Sequence, residues 1–341
     1  MYGRKRREKK MKKRLFMAMG LALVMIFATG CGMDTKMVIN DDYTSSQTET
    51  VYYNEEEVAE LADTSEVTVD EMKATLTPTE VNGVMYYATT ETDDSVSAAD
   101  TKAEFVALNQ NHVVLQVGEP GTGAALDEMG IEFMNYDVTF PKQIVKTNCP
   151  LDADGKTLHL TKTDLSKNTT LYAIFNEEAA KSKTVTYSGV TKGKIYKVKK
   201  YITINSKNVI KKVYITRNGK KYVNDEATTV NGKIYDNTYN KFAFVKDGKY
   251  VVKTTLVNGA VSTLKFTVDK NKPTTNMKAK TYKKTSKGKK ITFKDATSGV
   301  KKATLNGKKI KNGKVVKKAG KYTLTIYDKA GNKRVVKFRI K

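Results

Sequence analysis

The chain has 341 residues, of which 61 are Lys or Arg and 36 are Asp or Glu, for a formal net charge of +25. Two cysteines, two histidines and no tryptophan are too few for a disulfide framework or a cysteine zinc site. The length beyond an N-terminal export segment suffices for two to four domains.

Residues 1–30 read as that export segment. Lysines and arginines crowd residues 4–14, an apolar run covers 15–28, and Ala28-Thr29-Gly30-Cys31 follows. A basic start and an apolar core short for a membrane span mark a secretory signal. Met11 opens a shorter version of the same signal. The small residues ending at Cys31 resemble the lipobox of bacterial lipoproteins. That resemblance implies a diacylated Cys31 as the first mature residue, a membrane anchor through its acyl chains, and an extracytoplasmic location. Cys149 is then the one remaining thiol, no intramolecular disulfide can form, and Cys149 reads as a small residue at a strand end.

Charge divides the remainder. Residues 32–183 carry 28 acidic and 10 basic residues, and residues 184–341 carry 7 acidic and 42 basic ones. The break near 179–183 is an expected domain boundary. Residues 31–66 are rich in Thr, Ser, Asp and Glu without a sustained apolar period, the composition of an acidic disordered tether, with a short helix over 54–61 capped by Asn54. Residues 67–103 read as a low-complexity region holding a β-hairpin across Asn82-Gly83. Residues 104–183 read as a small acidic β domain, with strands flanking Asn109-Gln110-Asn111-His112 and further strands near 131–140, 158–160 and 170–175. Lys167-Asn168-Thr169-Thr170-Leu171-Tyr172-Ala173 resembles the end of an internalin-type B-repeat.

The basic half contains an internal repeat. Asp247-Gly248-Lys249-Tyr250-Val251-Val252 aligns with Ala319-Gly320-Lys321-Tyr322-Thr323-Leu324, and without a gap Gly259 meets Gly331 and Phe266 meets Phe338. Upstream, Ile210-Lys211-Lys212-Val213 matches Val300-Lys301-Lys302-Ala303, and Asn218-Gly219-Lys220-Lys221 matches Asn306-Gly307-Lys308-Lys309. Ser298-Gly299-Val300-Lys301-Lys302, Leu305-Asn306-Gly307-Lys308 and Asp328-Lys329-Ala330-Gly331-Asn332 resemble the bacterial Ig-like repeats of secreted and surface-anchored proteins. The resemblance implies two tandem Ig-like β-sandwiches, residues 184–271 and 272–341. The first carries an insertion, 224–240, whose Tyr235 and Tyr239 are candidate contact residues. The fold class expected is therefore mostly β, with the tandem sandwiches C-terminal to a smaller β domain and a disordered spacer.

Of the 42 bases in the second half, Arg217, Arg334 and Arg339 are the arginines. Lysine supplies point charge without the planar fork that reads phosphates or base edges bidentately. Lys301, Lys302, Lys308 and Lys309 are therefore candidates for salt-sensitive attraction to a polyanion such as an anionic cell-wall polymer. Sequence-specific nucleic-acid binding is not expected. Alternating lysines also serve as solvated strand faces that discourage edge pairing. No phosphate loop, HExxH helix or GxSxG elbow is present, so no catalytic site, cofactor or metal is expected. Lys and Asn are too abundant for Lys–Asn isopeptide cross-links to be read from sequence. The expected function is a non-enzymatic, lipid-anchored surface protein displaying Ig-like modules for adhesion or envelope binding, its ligand an envelope polyanion or a host or neighbouring-cell surface. Alternatives are a structural spacer or stalk subunit and an accessory glycan-binding lipoprotein.

Overall fold

Strands β1 (Gly32–Ile39) and β2 (Ser45–Tyr53) open the folded chain as an antiparallel pair. The structure, a computed structural model, describes residues 32–117, 122–128, 130–167, 169–222 and 242–341. Cys31 and the 224–240 insertion with Tyr235 and Tyr239 lie outside the described residues. Helix Glu55–Thr64 follows β2, and its capping box is reciprocal. Asn54 Oδ1 accepts the Glu57 N–H at 3.0 Å, and the Glu57 carboxylate accepts the Asn54 N–H at 2.9 Å. After helix Val69–Thr75, β3 (Thr77–Val81) and β4 (Val84–Val96) pair across Asn82-Gly83, where both residues take the positive φ of a tight hairpin turn. Helix Ala98–Ala103 leads to β5 (Ala107–Leu108) and β6 (His112–Val117). Helix Thr122–Glu128, β7 (Phe133–Thr139), β8 (Lys146–Thr147), β9 (Thr157–Thr161), helix Lys162–Ser166, β10 (Thr169–Ile174) and helix Glu177–Lys181 complete this part.

These strands form a six-stranded sheet, β3-β4-β2-β1-β7-β9, and a four-stranded sheet, β5-β6-β10-β8. The core draws on both: Met37 and Ile39 of β1, Met134, Tyr136 and Val138 of β7, Leu158 and Leu160 of β9, Val113 and Leu115 of β6, and Leu171 of β10. The tether expected over 31–66 is thus replaced by structure from residue 32 onward. Its cause is non-local: β1 runs parallel to β7, with Thr35 opposite Tyr136 and Met37 opposite Val138. Burial of alternate β1 residues against that distant strand supplies the apolar surface that the segment lacks by itself. The 67–103 stretch is also ordered, since β4 pairs with β2 from Tyr87 to Val96. No division appears at 103/104, because β7 and β9 belong to the same sheet as β1 and β2. This first unit runs to Ser182 and includes Lys207–Val209.

The second unit, Lys183–Ser206 with Ile210–Lys341, contains the repeat. In its first copy a three-stranded sheet joins β11 (Val185–Ser188), β13 (Lys200–Ser206) and β16 (Phe242–Phe244). The facing five-stranded sheet has the order β12 (Ile195–Tyr196), β18 (Val261–Val268), β17 (Gly248–Leu256), β14 (Ile210–Arg217), β15 (Lys220–Lys221). In the second copy the five-stranded order is β20 (Thr281–Tyr282), β27 (Lys333–Ile340), β26 (Gly320–Asp328), β23 (Val300–Leu305), β24 (Lys308–Lys309). Its smaller layer is two short pairs, β19 (Thr274–Thr275) with β22 (Phe293–Lys294) and β21 (Lys289–Lys290) with β25 (Val315–Val316).

The repeat extends to register. Tyr196 pairs in parallel with Val268, and Tyr282 with Ile340, the equivalent position. A β-bulge interrupts β14–β17 between Ile210 and Lys212, and β23–β26 between Val300 and Lys302. Each copy has its own core, one centred on Ile204, Phe244, Tyr250 and Phe266 and the other on Ile291, Leu324, Ile326 and Phe338. The chain is thus mostly β, with two mostly antiparallel Ig-like sandwiches in tandem.

Met37 is 1 % exposed at the β1–β7 junction, so Met37→Ala should lower the first unit's stability by about 2–4 kcal/mol. Chemical denaturation reads this, and limited proteolysis should then cut within 32–53; an unchanged midpoint would remove β1 from the core.

Candidate functional site

Alternation along β26 and β27 sends Leu324, Ile326, Val336, Phe338 and Ile340 inward and leaves Lys321, Lys333, Lys337 and Arg339 exposed. Residues directly opposite in an antiparallel pair share a face. Lys321 therefore stands beside Arg339, Thr323 beside Lys337 and Tyr327 beside Lys333, while on the other flank Thr304 stands beside Thr325 and Lys302 beside Tyr327. The Lys302 and Lys333 ammonium groups lie 4.9 and 5.6 Å from the centre of the Tyr327 ring, where the ring's electron-rich face offsets part of their repulsion. The first copy builds the same face: Lys212, Lys249 and Lys265 occupy the positions of Lys302, Lys321 and Lys337, and Lys212 sits 5.8 Å from the Tyr214 ring. Neither face carries an acid, and among the described residues no base from 210 onward forms an ion pair.

All four lysines picked out by sequence are exposed, but they do not form one site. Lys302 and Lys309 share the outward face, Lys309 standing opposite Thr304. Lys301 is the extra residue of the bulge, and Lys308 stands opposite Leu305, which packs on the core side. Sequence reasoning missed Tyr327, Lys333, Lys337 and Arg339. Their alternation in the last strand was the available signal.

A second cluster lies in the joint between the copies. Asp269, Asp295 and Asp328 bring carboxylate oxygens within 4.8 Å of one another, and they are the described residues that could hold a metal ion. Asp269 and Asp328 are fully buried. Asp295 Oδ1 accepts the N–H groups of Ser298 and Gly299 at 2.9 and 2.8 Å, and Asp269 Oδ2 accepts Ser298 N–H at 3.1 Å. The Asn332 side-chain amide donates to the Asp269 carbonyl and to Asp328 Oδ2, both at 2.8 Å. Burial, with Asp295 and Asp328 adding like charge, holds the Asp269 carboxyl above its usual range. A shared proton or a hard divalent cation is the chemistry such a set can accept.

In the first unit, Glu49 and Glu104 are pushed up to about 7, chiefly by burial and secondarily by Glu91 and Asp100 respectively. Thr35 Oγ1 and Glu104 Oε2 are buried without a hydrogen-bond partner among the described residues. His159 Nδ1 lies 2.6 Å from Asp137 on the outer face of the large sheet, a carboxylate neighbour that sequence spacing did not show. His112 is buried, and burial holds it down to about 4. Cys149 is buried in the core and pushed up to about 12, the setting of an inert structural thiol. Among the described residues no helix is long and apolar enough to cross a membrane.

No protein-family model matches the chain, and no curated protein matches it in sequence. Solved structures similar to it include the Ig1–2 module of a Drosophila receptor protein tyrosine phosphatase, DLAR, at 10% identity. That match covers 46% of this chain and 98% of that one, with a TM-score of 0.20. The insect immune protein hemolin is 14% identical over 62% of this chain and 68% of that one, at 0.26. The Bacteroides ovatus mixed-linkage glucan utilization protein SGBP-B, in complex with a heptasaccharide, is 13% identical over 46% of this chain and 47% of that one, at 0.19.

Two expectations follow. Asp295→Asn keeps the Oδ1 acceptor while removing one of three clustered carboxylates, so it should stabilise the second unit at pH 7 by on the order of 0.5–1 kcal/mol; destabilisation at pH 7 that a chelator abolishes would mean that the carboxylates share a bound cation. Glu104 has a folded-state value raised from 4.5 to about 7, so above that value the native state holds a buried charge, and stability returns as pH falls toward 4.5. Glu104→Gln should therefore be more stabilising at pH 8 than at pH 5, by on the order of 1 kcal/mol after solvent screening, in paired urea titrations.

Proposed function

We propose that this chain is an exported, lipid-anchored surface protein, without enzymatic activity, that displays two basic Ig-like modules for adhesion to an anionic cell-envelope polymer. The observation that carries this reading is the paired outward faces described above: each copy lines one sheet face with bases that no acid neutralises, while Asp269, Asp295 and Asp328 gather at the joint. The export segment and Ala28-Thr29-Gly30-Cys31 support anchoring through Cys31.

A stalk function has one observation in its favour. Asn332 and Asp269 tie the two copies across their joint with hydrogen bonds, as a spacer with a fixed bend would require.

Two measurements test the reading. Cys31→Ala should leave the protein unlipidated and release it from membranes into the soluble fraction; membrane retention at high salt would reveal another anchor. The full chain should bind purified wall polymer with an affinity that falls linearly, on a log–log scale, with salt. Equal retention at low and high salt would count against polyanion binding and leave the stalk reading.

A further inference from the structure

Diffuse attraction and a seated polymer make different demands on a surface, and the C-terminal copy meets the second. Along one strand, successive outward residues stand about 7 Å apart, and neighbouring strands about 4.8 Å. Lys337 and Arg339 of β27, with Lys321 beside Arg339 on β26, therefore give cations spaced like the anions of an extended chain. Between these bases and Lys302 lie Thr304, Thr323 and Thr325. None of their hydroxyls makes a hydrogen bond among the described residues, so each is available to a ligand oxygen. The five-stranded sheet offers an open row of charge and hydroxyl, with the exposed Val335 opposite Thr325 between Lys333 and Lys337, which suits a linear chain over a compact ligand. Lysine ammonium groups with threonine hydroxyls satisfy single phosphate oxygens without the bidentate geometry of arginine.

We propose that the outward face of the β26–β27 pair seats an extended phosphodiester polymer of the glycerol-phosphate type. Lys321, Lys337 and Arg339 contact successive phosphates, and Thr323 and Thr325 donate to their free oxygens. This rests on the envelope-polymer reading above and narrows it to one face and one backbone chemistry. The matching lysines of the first copy, Lys249 and Lys265, give that copy a face of the same kind.

The test measures binding of the full chain to purified poly(glycerol phosphate) across a salt series. The face variant is Lys321→Glu/Lys337→Glu/Arg339→Glu. Its control, Lys287→Glu/Lys290→Glu/Lys317→Glu, makes the same charge change at exposed residues in and beside the smaller layer. The face variant should lose affinity by more than about thirtyfold and lower the salt slope by about two to three, whereas the control should lose less than about threefold. A charge-preserving variant, Thr323→Val/Thr325→Val, should lose several-fold with an unchanged slope, which keeps the proposal testable should the triple variant fold poorly. Equal losses in face variant and control would overturn the seated site while leaving diffuse polyanion attraction intact. Failure of the unaltered chain to bind the polymer would overturn both. Equal binding of heparin with the same variant pattern would show that the face reads charge spacing, overturning the phosphodiester assignment.

Discussion

The antiparallel register of β26 with β27, running from Gly320 opposite Ile340 to Tyr327 opposite Lys333, fixes both the core and the charged face of the C-terminal copy. Tyr322 and Leu324 meet Phe338 and Val336 on the inner side, and every lysine of the two strands projects outward. A slip of one residue would exchange the two sets and bury several charges. The register therefore tolerates Lys321 directly opposite Arg339, a like-charge pair that is locally unfavourable, because the alternative is far worse. The same constraint, at equivalent positions, governs β17 with β18. A positive face is the consequence of how these sequences must pair, repeated once per copy.

The repeat was legible in the sequence because its signals are local. Asn218-Gly219 and Asn306-Gly307 both adopt the positive φ that their residue types suggested, and the gapless alignment of the last two strands carries over into identical pairing. The first unit was less legible because its sheet is assembled across long distances. The low-complexity threonines that read as spacer are one face of that sheet: Thr48 bonds Thr92 at 3.1 Å and Thr50 bonds Thr90 at 2.9 Å. Cross-strand hydroxyl pairs of this kind are a sheet's own polar surface, and composition alone does not distinguish them from a disordered polar tract. The parallel β1–β7 pairing leaves no local trace, since the two partners are separated by most of the unit.

The candidate face shows the same division. Lys302 and Lys309 could be singled out as bases near a turn, but which lysines share a face depends on the bulge at Lys301 and on pairing partners that no single segment reveals. Tyr327 acquires its two ammonium neighbours from two different strands. The acidic cluster at the joint is more hidden still. Asp269, Asp295 and Asp328 are far apart in sequence, and the fold makes them a group.

The position of Gly32 bears on the proposed lipid anchor. It begins β1 and lies beneath the Phe133 ring, where a side chain would collide with the aromatic carbons. The sheet thus starts at the residue that follows Cys31. Were Cys31 acylated as proposed, no spacer would separate the lipid from the sheet, and the first unit would ride at headgroup depth, oriented by the direction in which β1 leaves the lipid. Its excess of acids then faces an anionic leaflet at close range, where repulsion acts within a Debye length. Such a body would be expected to stand upright on its single point of attachment, with the contact area between protein and bilayer kept small.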